Sequence, residues 1–387
     1  MMWVSGRILF RFLEEPDRRT PEPTQWPGVT VLIPAYNEQA VIAISVQAAL
    51  AADYPELEVL VLDDGSADET AAVATETAGG DPRCRVIRDP VNRGKADRLN
   101  QGFQLAQNEL VVVTDADTQM HPAAVKELVA RMLTSPQIAA VAGAPHVTNR
   151  ARFLSTMQIF EVASIIGLIR RTQAMTGRVG TVAGVLGLFR RERVLAVGGY
   201  DPKMATEDIE LTWKLLAAGW LTAYEPRALV GMQVPTSLGA LWAQRKRWAR
   251  GQGEVLRKHL GEVLRWRNHQ MWLMGAEAVA SLVWVFALVV ALAIAVLKLV
   301  IDPSFLPGLG LSWGVAICVV ATVQVTAALL IEAPYDPRNW RAFLAEPLYP
   351  VFFWLISAGA TLRSETIGLI RGPRSSRVVW DIPREDM

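Results

Sequence analysis

Over the first 270 positions short apolar, β-branched runs alternate with longer stretches of helical periodicity, and beyond them the pattern changes to long uncharged segments. Val29 to Ile33, Glu58 to Leu62, Arg85 to Ile87, Leu110 to Thr114 and Ile138 to Ala142 read as strands. Ala40 to Ala51, Asp68 to Thr77, Lys95 to Ala106, Pro122 to Leu133 and Glu207 to Ala218 read as helices. Strands and helices in alternation predict an α/β domain with a mostly parallel sheet covered on both faces. Phe153 to Ile169 is apolar apart from Glu161 and reads as a packed helix.

The later segments have a different physical meaning. Ala278 to Leu297 is uncharged between Glu277 and Lys298, and at about 1.5 Å per residue it covers the ~30 Å hydrocarbon core of a bilayer. Leu311 to Ile331 is a second such run. Pro347 to Leu362, interrupted by Pro350 and extended by Ile367 to Ile370, is a third, shorter run that reads as a tilted span, a broken helix or an interfacial segment. The expected spans are about 278–297, 311–331 and 347–370.

Composition agrees with a chain that is part soluble and part membrane. Of 387 residues 51% are hydrophobic, and the mean hydropathy of +0.23 is high for a purely soluble protein. The 39 basic residues nearly balance 38 acidic ones, so no nucleic-acid partner is implied. The basic residues are unevenly placed, however: Arg245, Lys246, Arg247, Arg250, Arg257, Lys258, Arg265 and Arg267 crowd the approach to the first span. By the positive-inside rule this puts residues 1 to about 270 in the cytoplasm. A full third crossing would leave Arg371, Arg374 and Arg377 outside, against that rule, but the apolar centre Phe352 to Ile356 makes the crossing the favoured expectation. Cys84 and Cys318 offer no disulfide framework, as in a reducing compartment. Arg7 and Arg11 break the apolar stretch Ile8 to Leu13, so nothing there reads as a signal peptide.

Four motifs follow one another along the chain: Asp63-Asp64-Gly65, Asp115-Ala116-Asp117, Thr206-Glu207-Asp208 and Gln244-Arg245-Lys246-Arg247-Trp248. The first two lie at carboxyl ends of predicted strands, the edge where open α/β sheets bind ligands. A carboxylate pair at such an edge repels a nucleotide diphosphate unless a divalent cation bridges the two, and Mg²⁺ or Mn²⁺ suits that role with Asp115 and Asp117 as ligands. Asp-x-Asp alone also ends strands, and Glu207 and Asp208 also serve as first-turn acids of a helix. It is the ordered set, followed by apolar spans, that points to chemistry.

That set resembles the processive family 2 glycosyltransferases, which include cellulose, chitin, hyaluronan and poly-N-acetylglucosamine synthases. The resemblance implies a glycosyltransferase domain of GT-A type, an enzyme that joins sugars from a nucleotide donor, with roles for particular residues. Pro34-Ala35-Tyr36-Asn37-Glu38 frames the nucleobase in that family, with Tyr36 against the ring and Glu38 or Asp64 accepting from base or ribose; the same residues also make a capped helix entry. Lys95, in Asn92-Arg93-Gly94-Lys95, faces the ribose or diphosphate, or else a solvated helix start. Asp208 is the implied base and Glu207 its supporting partner. Gln244, Arg247 and Trp248 match the family's Gln-x-x-Arg-Trp motif; Arg247 would pair with the diphosphate and Trp248 would carry the acceptor sugar. Trp242, Trp248, Trp266 and Trp272 among basic residues equally describe an amphipathic helix at lipid headgroups. Gly184, in Thr181 to Gly187, resembles the small-residue strand lining the acceptor pocket, or a bulge.

The block from Glu161 through Glu254, with Tyr224 to Leu229, is most similar to poly-β-1,6-N-acetylglucosamine synthases. This subgroup implies UDP-N-acetylglucosamine as donor, a growing polysaccharide and the lipid bilayer as partners, and a small membrane subunit that senses a cyclic dinucleotide. The expected organisation is a lead at 1–27, a cytoplasmic GT-A domain at 28–235, interface helices at 236–271, a membrane region at 272–371 and a basic tail at 372–387, in a bacterial inner membrane. The subgroup usually has two further spans before its catalytic domain, of which Met1 to Leu13 would be at most a remnant. Two rivals remain: a synthase of another β-linked polymer, and a catalytically silent membrane scaffold.

Overall fold

The five apolar runs read as strands lie in one eight-stranded sheet, together with three strands that the pattern did not predict. The computed structural model describes residues 20–301, 312–339, 343 and 348–379. Expectations for 1–19, for Leu311 and Pro347, and for the tail beyond 379 lie outside these residues. The strands are β1 (Val29–Ala35), β2 (Leu57–Asp64), β3 (Cys84–Asp89), β4 (Leu110–Val113), β5 (Gln119–Met120), β6 (Ile138–Val147), β7 (Gly187–Arg190) and β8 (Leu221–Met232), in the order β3-β2-β1-β4-β7-β6-β8-β5. Neighbours in β3-β2-β1-β4 are parallel, and so are β6 and β8. β7 runs antiparallel between β4 and β6, and β5 antiparallel to β8, so the sheet is mixed with parallel pairs in the majority, as expected.

Helices cover both faces: α1 (Ile42–Leu50), α2 (Thr70–Ala78), α3 (Lys95–Leu105), α4 (Ala124–Leu133), α5 (Phe153–Ala174), α6 (Arg191–Ala196) and α7 (Glu207–Ala217). The two-residue period of the strands divides the core. Val31, Ile33, Val59, Val61 and Val112 pack with Ile42, Val46, Val125 and Leu128 of α1 and α4. Leu32, Leu60, Leu62, Val111 and Val113 pack with Leu99, Phe103, Leu211 and Leu215 of α3 and α7. Because Ala35 pairs with Asp63 and Leu32 with Val113, the residues that follow β1, β2 and β4 emerge at one carboxyl edge. The inserted β7 pairs Gly187 with Val113, which brings the segment before it, including Gly184, to the same edge.

Beyond β8 the chain enters α8 (Leu238–Val263), capped by Ser237 Oγ accepting from Ala240 N at 3.2 Å. A 3₁₀ turn (Trp266–Met271) leads to the 30-residue α9 (Trp272–Ile301), followed by α10 (Ser312–Glu332). Among the described residues two helices are long and apolar enough to cross a bilayer, but their surroundings differ: α5 is 61% buried over its apolar window, whereas the helical stretch Trp266–Ile301, which contains α9, is 6% buried over its own. α5 is therefore the packed helix its sequence indicated, and α9 presents apolar side chains outward. α10 lies against α5, with Val325, Ala328 and Leu329 among Met157, Phe160 and Ala163.

The third apolar segment is an interrupted helix. It forms α11 (Tyr349–Ala360), a π turn (Thr361–Glu365) and α12 (Thr366–Arg371), and α12 packs on α8. The approach is close enough that a Cβ on Gly368 would strike the Arg250 carbonyl, and one on Gly253 the Glu365 carbonyl. The following residues return to the catalytic domain: Arg374 N donates to Lys203 O at 3.2 Å and Val378 N to Pro202 O at 2.7 Å, and Arg377 Nε lies 3.1 Å from Asp97 Oδ2. Residues 374–378 thus pack against the catalytic domain.

Candidate active site

The carboxyl edge is built by loops tied to one another. After β1, Asn37 takes a left-handed conformation with φ of 54°. From there its side-chain oxygen accepts Ala67 N at 2.9 Å, while its own N–H donates to Ser66 Oγ at 3.0 Å. Glu38 is buried and donates its N–H to Thr70 Oγ1 at 2.7 Å, and Tyr36 is half-buried beside it. Pro34, at the end of β1, is buried. The loops after β1 and β2 therefore act as one wall.

Asp64 is fully buried, and its two oxygens accept Arg93 N at 3.0 Å and Gly94 N at 2.7 Å, with Arg98 Nε 3.8 Å away. Burial pushes its pKa up against those hydrogen bonds. This carboxylate holds the turn into α3. Gly94, at φ of 92°, supplies a conformation that side chains rarely adopt. The consequence is the placement of Lys95 at the first position of α3.

Lys95 joins residues that the sequence kept apart. Its Nζ lies 2.5 Å from Asp115 Oδ1 and 3.8 Å from Glu207 Oε1. Burial opposes its charge, but the carboxylates of Asp115, Glu207 and Asp208 outweigh that and hold its pKa above the usual lysine value. Gly184 closes the group from β7's side, because a Cβ there would lie 2.8 Å from Lys95 Nζ and 3.3 Å from Asp115 Oδ1. Thr114 Oγ1 donates to Val185 O at 3.0 Å, fastening that segment to the Asp115-Ala116-Asp117 loop.

Glu207 and Asp208 occupy the first turn of α7, half-buried, where the helix dipole favours acids. Burial raises the pKa of Glu207, with Lys95 and Arg247 acting against it and Asp208 with it. Arg247 is exposed on α8 beside this acidic cluster, and Trp248 is exposed next to it. Gln244 is one helical turn from Trp248, and its Oε1 is buried with no hydrogen-bond partner among the described residues.

Among the described residues no group of three or more His, Cys, Asp and Glu could by itself hold a metal ion. The half-buried Asp115 and Asp117 supply carboxylates at this sheet edge. That donor set fits Mg²⁺ or Mn²⁺, which take one or two carboxylates and complete their shell with phosphate oxygens and water.

The sequence did not single out Arg98 or Glu254 as part of this site. Arg98 lies on the buried side of α3 between Asp64 and Asp89, and a basic residue on an apolar helix face was the available signal. Glu254, also buried, holds the loop before Glu207 and is four residues beyond its partner Arg250. Neither pairing with the site is visible in the sequence, because the partners are distant along the chain.

Comparison with known proteins agrees with this geometry. Residues 27–251 match the family model described as glycosyltransferase like family 2. The poly-beta-1,6-N-acetyl-D-glucosamine synthase of Staphylococcus epidermidis is 32% identical over 390 residues, covering 98% of this chain and 94% of that protein. The enzyme of the same name from Staphylococcus aureus strain COL is 32% identical over 393 residues with the same coverage. A mannosyltransferase from Pyrobaculum calidifontis, solved in complex with GDP-Man and Mn²⁺, superposes with a TM-score of 0.61 over 95% of this chain and 94% of its own, at 20% identity, and shares the fold. Motif order, sheet topology and these matches lead to one assignment: the chain belongs to glycosyltransferase family 2 and is a glycosyltransferase of GT-A fold.

Proposed function

We propose that the protein polymerises N-acetylglucosamine from UDP-N-acetylglucosamine into a β-1,6-linked chain, with inversion at the anomeric carbon, and passes it into the membrane. The observation that carries this reading is the convergence of Lys95, Asp115, Glu207 and Gly184 at one sheet edge, under a helix bearing Gln244, Arg247 and Trp248. The relatives named for that polymer supply the sugar and the linkage.

Asp208 accepts the proton of the acceptor hydroxyl as that oxygen attacks the anomeric carbon, and the bond from this carbon to the diphosphate breaks with UDP as leaving group. Lys95 and Arg247 hold the departing negative charge. Asp115 and Asp117 would hold Mg²⁺ or Mn²⁺, which supplies charge neutralisation to the diphosphate when bound. Tyr36 and Glu38 form the base-binding wall, which Asp64 supports by fixing the Gly94 turn. Gln244 and Trp248 receive the polymer end, whose apolar sugar face lies on the indole.

The basic residues before α9 favour a cytoplasmic catalytic domain. With the tail packed against that domain, the reading takes α9 and α10 as crossings and α11 to α12 as a segment that enters and returns. The resemblance also carries a small membrane subunit sensing a cyclic dinucleotide. Incubating membranes with labelled UDP-N-acetylglucosamine and digesting the product with a β-1,6-specific hexosaminidase tests the proposal. A product that resists the enzyme, or labelling only from another sugar nucleotide, overturns it in favour of a different polymer.

A further inference from the structure

α8 is a basic helix, yet of its first three arginines only Arg245 is buried; Arg247 is exposed and Arg250 half-buried. Arg245 meets Glu161 of α5 in a two-point contact, Nη1 to Oε1 at 2.7 Å and Nη2 to Oε2 at 2.5 Å. Both residues are buried. On its other side the guanidinium carbon of Arg245 stands 4.5 Å from the centroid of the Trp248 ring. Glu161 itself sits where α5 changes from α to π hydrogen bonding over Val162–Leu168, a local irregularity that re-aims side chains and recurs at functional sites. Nearby, Tyr349 at the start of α11 packs edge-on against Phe160 at 5.6 Å.

Desolvating a carboxylate and a guanidinium opposes folding, and apolar residues of similar volume fill such a place at least as well. What a planar, two-point pair provides is orientation. It sets the roll of α8 about its own axis relative to α5. Gln244 and Trp248 are carried on that axis, one residue before and three after Arg245. The cation beside the indole then limits the ring itself.

We infer that Glu161 is a positioning residue for the acceptor end of the site: it holds Arg245 against Trp248 and so sets the ring on which the growing sugar chain rests. This rests on the polymerase reading above. The two-point contact and the ring contact both involve the helix that carries Gln244 and Trp248. Glu161 therefore acts on acceptor engagement and not on nucleotide binding.

The test compares Glu161→Gln, Arg245→Met and the double variant in the full-length protein in membranes. The measurements are the apparent KM for an added β-1,6-linked N-acetylglucosamine oligomer and the affinity for UDP with Mn²⁺. Glu161→Gln is expected to raise the acceptor KM about tenfold while UDP affinity stays within about twofold of wild type, and the double variant is expected to be no worse than Arg245→Met, because Glu161 acts through Arg245. An unchanged acceptor KM in Glu161→Gln overturns the inference. So does a parallel loss of UDP affinity and acceptor affinity, which is the mark of a merely structural pair, and so does additivity in the double variant. The comparison uses whichever sugar nucleotide the wild type incorporates, with an oligomer of that sugar, so a failure with UDP-N-acetylglucosamine counts against the polymer assignment alone.

Discussion

The Glu254 carboxylate on α8 accepts the backbone N–H of Ala205 at 2.9 Å, so the helix that carries Gln244, Arg247 and Trp248 also holds the loop that ends in Glu207 and Asp208. Arg250 Nε donates to the other oxygen at 2.7 Å, and Glu254 is fully buried. At Gly251 the same helix comes so close to Thr206 that a Cβ would strike its side chain. The positions of Glu207 and Asp208 and of Gln244, Arg247 and Trp248 are thereby tied to one helix.

Glu254→Ala removes the acceptor of a buried N–H and is expected to destabilise the domain by about 1–3 kcal/mol. Turnover should fall further than that loss explains, by about tenfold, because the loop before Asp208 loses its anchor. Thermal unfolding and initial rates on one membrane preparation check this; unchanged turnover in a destabilised variant would reject the anchoring role.

Asp117→Ala is expected to abolish synthesis and to weaken metal-dependent UDP binding, because it removes a carboxylate from the site facing the diphosphate. A UDP titration with Mn²⁺ decides it. Wild-type affinity in the variant would remove Asp117 from the metal site.

Asp208→Asn keeps the shape of the side chain but cannot take the acceptor proton. Donor binding should persist while transfer falls by roughly 10²- to 10⁴-fold. Turnover above about a tenth of wild type would move the base to Glu207 or elsewhere.

Gly184→Ala places a methyl group 2.8 Å from Lys95 Nζ and 3.3 Å from Asp115 Oδ1. The end of the lysine can swing away, so the fold should survive with stability changed by less than about 1 kcal/mol. The ammonium, however, leaves the diphosphate edge, and UDP affinity is expected to drop severalfold in a calorimetric titration. A variant that binds UDP normally would show that the close approach has no part in donor binding.

A single cysteine at Ser376, in a background lacking Cys84 and Cys318, is expected to react with an impermeant maleimide only after the membrane is breached. The reason is the pairing of Arg374 and Val378 with Lys203 and Pro202, which keeps the tail on the catalytic side. Labelling in intact spheroplasts would restore the third crossing.

Much of the domain was legible because its signals are local. A run such as Val111-Val112-Val113, with Leu110, fills both faces of a buried strand whatever its neighbours are, and β1 to β4, β6 and their following helices appear close to where the pattern put them. Asp115 and Asp117 were recognisable from their place after such a strand. The short β7, inserted antiparallel between β4 and β6, was not, because four residues carry little pattern and its identity as a strand depends on both partners. The role of Asp64 was also hidden: only the fold brings Arg93 and Gly94 onto its oxygens, 29 and 30 residues away. The same holds for Glu161 and Arg245, separated by 84 residues, and for the tail that returns to Pro202. Hydrophobic period, turn residues and motif order are written in neighbouring side chains. Which buried charge meets which, and where the last helix and its tail pack, follow from chain packing that brings distant residues into contact, and those were decided by the tertiary structure.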